Sequence, residues 1–177
     1  MSSAVGGSYA VRRLSSVTES QMQELARVLI DCVEGGASVS FMHPLAPAKS
    51  LAFWRRIAGD VEAGARALLV AEDASGIVGT VQVVLDQPEN QPHRADVAKM
   101  LVLRRARRAG IGAALMRGAE DVARQFGKSL LVLDTASVDA ERLYAGLGWT
   151  LVGSVPAYAL LPHGGLCSTS FYYRDLA

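Results

Sequence analysis

Cysteine is scarce. The 177 residues hold two, Cys32 and Cys167, far apart and in neither a C-x-x-C nor a mixed Cys/His ligand pattern. That excludes a disulfide framework and a structural zinc site, and it points to reduced thiols in a cytoplasmic protein. Long apolar runs are lacking too, and none approaches the ~20 residues a membrane-spanning helix needs. The first residues, Met1 to Ser8, are rich in Ser, Gly and Ala, with no basic stretch leading into an apolar one. They are expected to be flexible, not a secretory signal. No sign of charge dominates: 18 Lys and Arg face 17 Asp and Glu, a net charge of +1 that supplies no bulk attraction for nucleic acid. His43, His93 and His163 are scattered without ligand spacing, so no metal is expected. No G-x-S-x-G or Cys/His nucleophile pattern occurs, which argues against an acyl-enzyme.

What is present suits one globular domain over residues 1–177: half the residues are hydrophobic and a fifth charged. A chain of this length can bury roughly two-thirds of its unfolded surface. Alternation predicts a strand over Tyr9 to Leu14. Thr18-Glu-Ser-Gln21 matches a capping box that opens a helix running to about Val33, ended by Gly35-Gly36. After a loop from Ala37 to Leu45, Pro47 suits the first turn of a second helix that stops near Gly64. A hairpin is expected from Ala67 to Leu85 around Asp73-Ala-Ser-Gly76, then a strand from Ala95 to Leu103. A helix follows Gly110 and closes at Gly127. Leu130 to Leu133 reads as a strand buried on both faces. A short helix over Asp139 to Leu147 and strands Trp149 to Val155 and Thr169 to Tyr173 complete the order.

The stretch from Met100 to Met116 runs from strand through a basic, glycine-containing turn into a helix. Unpaired N–H groups and the dipole of a helix start attract anions, and glycine permits close approach of a pyrophosphate. Arg104, Arg105, Arg107 and Arg108 could add charge-assisted contacts, although an arginine run also suits a solvated face. Gly127-Lys128-Ser129 resembles the end of a P-loop, but Val122 stands where the earlier glycine is required and the triplet ends a helix. Gly110-x-Gly112 with Asp134 could open a dinucleotide fingerprint, yet Leu115 replaces its third small residue and a hairpin precedes the unit.

Arg107-Arg-Ala-Gly-Ile-Gly112 resembles the R/Q-x-x-G-x-G/A signature of the GNAT superfamily of N-acetyltransferases. Ser137-x-x-Ala140-x-x-x-Tyr144-x-x-x-Gly148-Trp149 is similar to that superfamily's N-x-x-A-x-x-x-Y-x-x-x-G-F pattern, with Ser for Asn and Trp for Phe. A narrower likeness, to acetyltransferases of the tabtoxin-resistance type, is carried by Gly35 to Met42 and by Leu133-Asp134-Thr135. The resemblance implies an α/β fold: a mixed, mainly antiparallel sheet with helices on both faces, splayed between the strands ending at Leu103 and Asp134. It implies acetyl-CoA as co-substrate, held by Arg107, Arg108, Ala109, Gly110, Ile111, Gly112 and Ala113, by the strand residues Leu101, Val102 and Leu103, and by Ser137. An N–H near Leu101 or Val102 would face the thioester carbonyl.

The acceptor is then expected to be the amine of a small molecule, amino-acid-like or a β-lactam toxin, acetylated by a monomer or homodimer without membrane or nucleic-acid partners. By resemblance Asp134 takes the amine's proton; a helix cap or loop carboxylate is the alternative. Tyr144 occupies the position of the acid that protonates the departing thiolate, or is simply core. Ser38, Phe41, Met42 and Glu72 are expected to line the acceptor pocket, with Trp54 and the segment Tyr158 to His163 as further candidates. A module that binds acetyl-CoA without catalysis and a dinucleotide-binding protein are the competing readings.

Overall fold

The computed structural model describes residues 8–177, so residues 1–7 of the segment expected to be flexible lie outside the described residues. The elements are β1 (Ala10–Leu14), α1 (Glu19–Glu34), α2 (Pro47–Glu62), β2 (Arg66–Asp73), β3 (Gly76–Val84), β4 (Arg94–Val102), α3 (Ile111–Gln125), β5 (Leu130–Thr135), α4 (Val138–Gly146), β6 (Thr150–Leu160) and β7 (Leu166–Asp175). This is the expected order, with a short 3-10 turn at Arg104–Ala106 added between β4 and α3. The α1 start has the capping box: Thr18 Oγ1 accepts from Gln21 N, and Gln21 Oε1 accepts from Thr18 N. Gly35 stays at negative φ and Gly36 takes the positive φ that stops the helix.

One seven-stranded sheet has the order β1-β2-β3-β4-β5-β7-β6. All neighbours are antiparallel except β4 and β5. The period-2 alternation of the hairpin sends Ala67, Leu69 and Ala71 to one face and Leu68 and Val70 to the other. The first set packs on α3 residues such as Leu115, Met116 and Ala119; the second packs on Leu25, Leu29, Trp54 and Ile57 of α1 and α2. Helices therefore cover both faces, as expected. No helix among the described residues is long and apolar enough to cross a membrane.

Two sequence expectations are corrected. Full burial of β5 on both faces is not found: Leu131 and Leu133 are buried while Leu130 and Val132 are half-buried. The reason is topological, because β5 pairs with β4 only at Arg94↔Leu130, Ala95↔Leu131 and Asp96↔Val132, and the two strands then diverge. The continuously buried strands are β2 and β3, which lie within the sheet. The last strand, expected either to finish the sheet or to meet a second copy, lies inside it as β7; β6 is the edge.

Candidate active site

Divergence of β4 from β5 opens a cleft of about 990 Å³ lined by Met100, Leu101 and Val102, by the turn from Arg107 into α3, by Leu133 to Ser137, and by Leu143 and Tyr144 of α4. Ser38, Ser40, Asp134 and Ala136 also line a smaller pocket of about 270 Å³, together with Phe41, Met42, Tyr158, Leu160 and Thr169. The first volume suits a large cofactor and the second a small ligand.

The turn has the free backbone donors that an anion site requires. Gly110, the N-cap of α3, has φ +81°, a conformation glycine adopts without steric cost. The first helical bond is donated by Ala114 to Gly110, leaving the N–H groups of residues 108–113 with no backbone acceptor. Gly112 lets α4 sit on the turn, since a Cβ there would come 3.1 Å from Leu143 Cδ2. The four arginines divide. Arg104 is spent on Asp31 and Glu34, and Arg105 on Asp73 and Ser75. Arg107 lines the cleft while its Nε donates to Val102 O at 3.2 Å, and Arg108 lines the cleft with no ion pair among the described residues. Ala109 lies in the same turn but does not line the cleft.

Strand β4 carries a bulge that the sequence reading missed. Thr80 faces Leu101 and Gln82 faces Ala98, so Val81 alone opposes Lys99 and Met100, and Lys99 has φ +50°. Beyond the bulge, Leu103 N donates to Val78 O at 2.8 Å. Alternation then turns Leu101 towards β3 and turns the N–H of Val102 towards the cleft. Of the two N–H groups expected there, only that of Val102 is turned from β3, and the Val102 carbonyl accepts from Cys32 Sγ and Arg107 Nε. Leu103 does not line the cleft, its N–H being spent on β3.

Asp134, near the end of β5 and exposed to the cleft, lines both cavities. The nearby helix cap is Ser137, whose Oγ accepts from Ala140 N at 3.3 Å; the alternative role of cap thus falls to Ser137. Ser137 keeps its hydroxyl proton for a ligand. Tyr144 is 5 % exposed, packed against Trp149 and Tyr172, and lines the cleft. Burial first and the charge of Asp134 second push its phenol well above the usual tyrosine range. It therefore holds its proton more firmly than a phenol in water.

Of the expected acceptor residues, Ser38, Phe41 and Met42 line the small pocket and Glu72 does not. Glu72 belongs to the β1–β2 edge, where Arg12 grips it through Nε and Nη2 at 2.6 and 2.9 Å and holds its carboxyl below the usual range. Trp54 is core, 1 % exposed. Ser40 lines the small pocket as part of the loop Ser38 to His43 expected there, whereas Lys99 and Thr169 carry no expectation from the sequence; for Lys99 the available signal was a lone cation in an otherwise apolar stretch of strand. No group of three or more His, Cys, Asp or Glu is arranged to hold a metal ion among the described residues.

Residues 30–149 match the acetyltransferase (GNAT) family, and the chain belongs to it. Solved structures agree in fold. An N-acetyltransferase from Staphylococcus aureus Mu50 superposes with a TM-score of 0.79 at 14% identity, covering 96% of this chain and 99% of that one. A ribosomal-protein-alanine N-acetyltransferase from Brucella melitensis gives 0.76 at 20% identity, covering 94% and 99%. A phosphinothricin acetyltransferase from Sinorhizobium meliloti, solved with acetyl-CoA, gives 0.77 at 20% identity, covering 96% and 89%.

Proposed function

We propose that the chain acts as a single-domain N-acetyltransferase that uses acetyl-CoA to acetylate an amino group on a small molecule. The observation that carries this reading is one continuous cleft, with unpaired N–H groups of residues 108–113 at one end and Asp134 beside Tyr144 at the other. The residues fit the coenzyme. The N–H groups with Arg107 and Arg108 would hold its pyrophosphate, the open edge of β4 up to Val102 would pair with its amide-bearing arm, and Ser137 Oγ would add a hydrogen bond. Bound there, acetyl-CoA supplies an acetyl thioester. The acetyl-CoA complex of the Sinorhizobium meliloti neighbour supports the assignment.

The chain's own groups then divide the work. Asp134 takes the proton of the acceptor ammonium, directly or through water, because an ammonium has no lone pair. The Val102 N–H donates to the carbonyl oxygen as it gains negative charge. Tyr144 Oη holds a proton beside the departing sulfur. Even an ordinary phenol, pKa ~10, would give that proton to a thiolate of pKa ~8.5 at a cost of about 2 kcal/mol. Its raised pKa makes hydrogen-bond donation its main contribution.

A small acceptor is favoured over a protein terminus by the small volume, about 270 Å³, of the pocket lined by Ser38, Phe41, Met42 and Tyr158. Leu133-Asp134-Thr135 and the loop after α1 resemble the tabtoxin-resistance type, which suggests an amino-acid-like or β-lactam acceptor. Free Cys32 and Cys167 suit a reducing, cytoplasmic setting. Thermal unfolding with and without acetyl-CoA tests the reading: at ~100 times its dissociation constant the ligand adds ~2.7 kcal/mol to stability. A shift with acetyl-CoA and none with NAD, followed by thiol release on adding amines, is expected. A shift with NAD alone overturns the reading; acetyl-CoA binding without thiol release from any amine leaves a binding module.

A further inference from the structure

Lys99 interrupts the apolar run of β4 at the bulge and lines the cleft together with Asp134. Its Nζ lies 3.1 Å from Ser40 Oγ. Both residues hold positive φ, +50° for Lys99 and +77° for Ser40. Each such backbone costs on the order of 1–3 kcal/mol and persists where the surroundings enforce it, often at ligand clamps. Here two of them meet through their side chains at the mouth of the acceptor pocket.

Lys99 is half-buried, and its ammonium makes no ion pair among the described residues; the Phe53 ring lies 6.0 Å away. Burial lowers its pKa, Asp134 opposes that, and Arg66 and Arg56 add to the lowering. Arg66 is committed to Asp60 and Gln82, and Arg56 lies over Phe53 in solvent. A half-buried cation without a counterion is costly, and a ligand anion would relieve it. Asp134 is near enough to influence Lys99 yet forms no ion pair with it, so opposite charges are held apart across a cavity.

We infer that Lys99 reads an anionic group on the acceptor, so that the substrate is an amine carrying a carboxylate or phosphonate a few bonds from its nitrogen. The inference rests on the acetyl-transfer reading above. The acceptor ammonium faces Asp134, the anion faces Lys99 and Ser40, and Phe41, Met42 and Tyr158 receive the apolar remainder. Lys99 is a specificity-determining residue and exchanges no proton with the reacting atoms.

The test uses the full chain, saturating acetyl-CoA and thiol release. The acceptor panel comprises the common amino acids, their carboxamides, the decarboxylated amines and aminoalkylphosphonates. The best anionic acceptor should exceed its neutral counterpart about 10- to 100-fold in kcat/KM, mostly through KM, the range expected for a hydrogen bond to a charged group. Comparing the carboxylate and phosphonate arms identifies the anion. Lys99→Gln should bring the anionic and neutral acceptors close together, and Lys99→Arg should keep part of the preference. The thermal shift with acetyl-CoA should survive both. Neutral amines matching or exceeding the anionic ones, an undiminished preference in Lys99→Gln, or no anionic acceptor consumed by a chain that does shift with acetyl-CoA each overturn the inference. If Lys99→Gln fails to fold, the wild-type comparison and Lys99→Arg still decide. Absence of any acetyl-CoA shift overturns the acetyl-transfer reading, and this inference with it.

Discussion

Replacing Asp134 with Asn keeps the size of the side chain, exchanges one acceptor oxygen for an NH2 donor, and removes the negative charge and the ability to take a proton. The backbone of β5 at this point is fixed by pairing with Phe171 of β7, so the substitution should not move the strand. If Asp134 deprotonates the acceptor, kcat/KM should fall about 10²- to 10⁴-fold, the usual contribution of a positioned base, or roughly 3–5 kcal/mol of barrier. The thermal shift with acetyl-CoA should persist, because the unpaired N–H groups of residues 108–113 lie at the other end of the cleft. The deficit should narrow as pH rises, since an acceptor amine with pKa near ~10 loses its own proton there and needs no base. Two further effects follow from the carboxylate's charge. It is one of the causes raising the Tyr144 phenol, so that group should titrate lower in the variant; it also supports the protonated form of Lys99, whose pKa should fall further. Thiol release across pH 6–10 measures the narrowing deficit, and ultraviolet titration of the phenols follows Tyr144. A loss smaller than about threefold at neutral pH, or one that does not change with pH, would refute the assignment.

Tyr144→Phe removes the hydroxyl from a buried ring and leaves its packing against Trp149 and Tyr172. We expect kcat to drop at least about tenfold with an unchanged acetyl-CoA shift; equal loss of binding would assign the residue to the core alone. Gly110→Ala meets no clash, since the nearest atom to the new Cβ is Tyr9 Oη at 3.4 Å, but it forces a φ of +81° on an L-residue. About 1–2 kcal/mol and a fall in Tm of several degrees are expected, together with weaker acetyl-CoA binding. An unchanged Tm by circular dichroism would show that the turn adapts. Arg12→Ala should cost no more than about 1 kcal/mol at pH 7, as for an exposed pair. Glu72 has a folded pKa below its unfolded one, so the pair stabilises fully above the ordinary carboxylate range and loses that effect as pH falls through the folded value. Urea titrations at pH 7 and pH 3 should therefore show a smaller difference at pH 3 than at pH 7.

The elements were legible because their signals are local. The capping box at Thr18, Pro47 at a helix start and the turn before Gly76 each declare themselves within a few residues, and the observed boundaries fall within a few residues of those expected. Glu72 shows where local reading stops: the sequence does not reveal that β1 brings Arg12 alongside it on the far side of the hairpin. The arginine run is similar. Its density suggested anion binding, but two of its members are neutralised by acids on α1 and in the β2–β3 turn, more than thirty residues away for the nearer pair or roughly seventy for the farther. The β4 bulge was hidden because register is a property of two strands, and only the partner Val81 shows that Lys99 and Met100 share one position.

That bulge and the short β4–β5 ladder together explain why the cleft lies where it does. A sheet normally satisfies every interior N–H and C=O, and an unpaired edge in the middle of one is costly. Here parallel pairing stops at Asp96↔Val132, and β7, not β4, continues alongside β5 to Thr135. Backbone groups of β4 beyond Val97 are thereby left for a ligand that can pair like a strand. The same divergence gives α3 room to aim its start into the gap, with Gly112 against Leu143. The bulge then turns Lys99 towards Ser40 and leaves Val102 facing the opening. Were the ladder to continue past Val132 in the same register, β4 from Val97 to Lys99 would be spent on Leu133 to Thr135 and Asp134 would face a closed strand. The groups proposed for the chemistry therefore depend on a pairing the sheet leaves unmade.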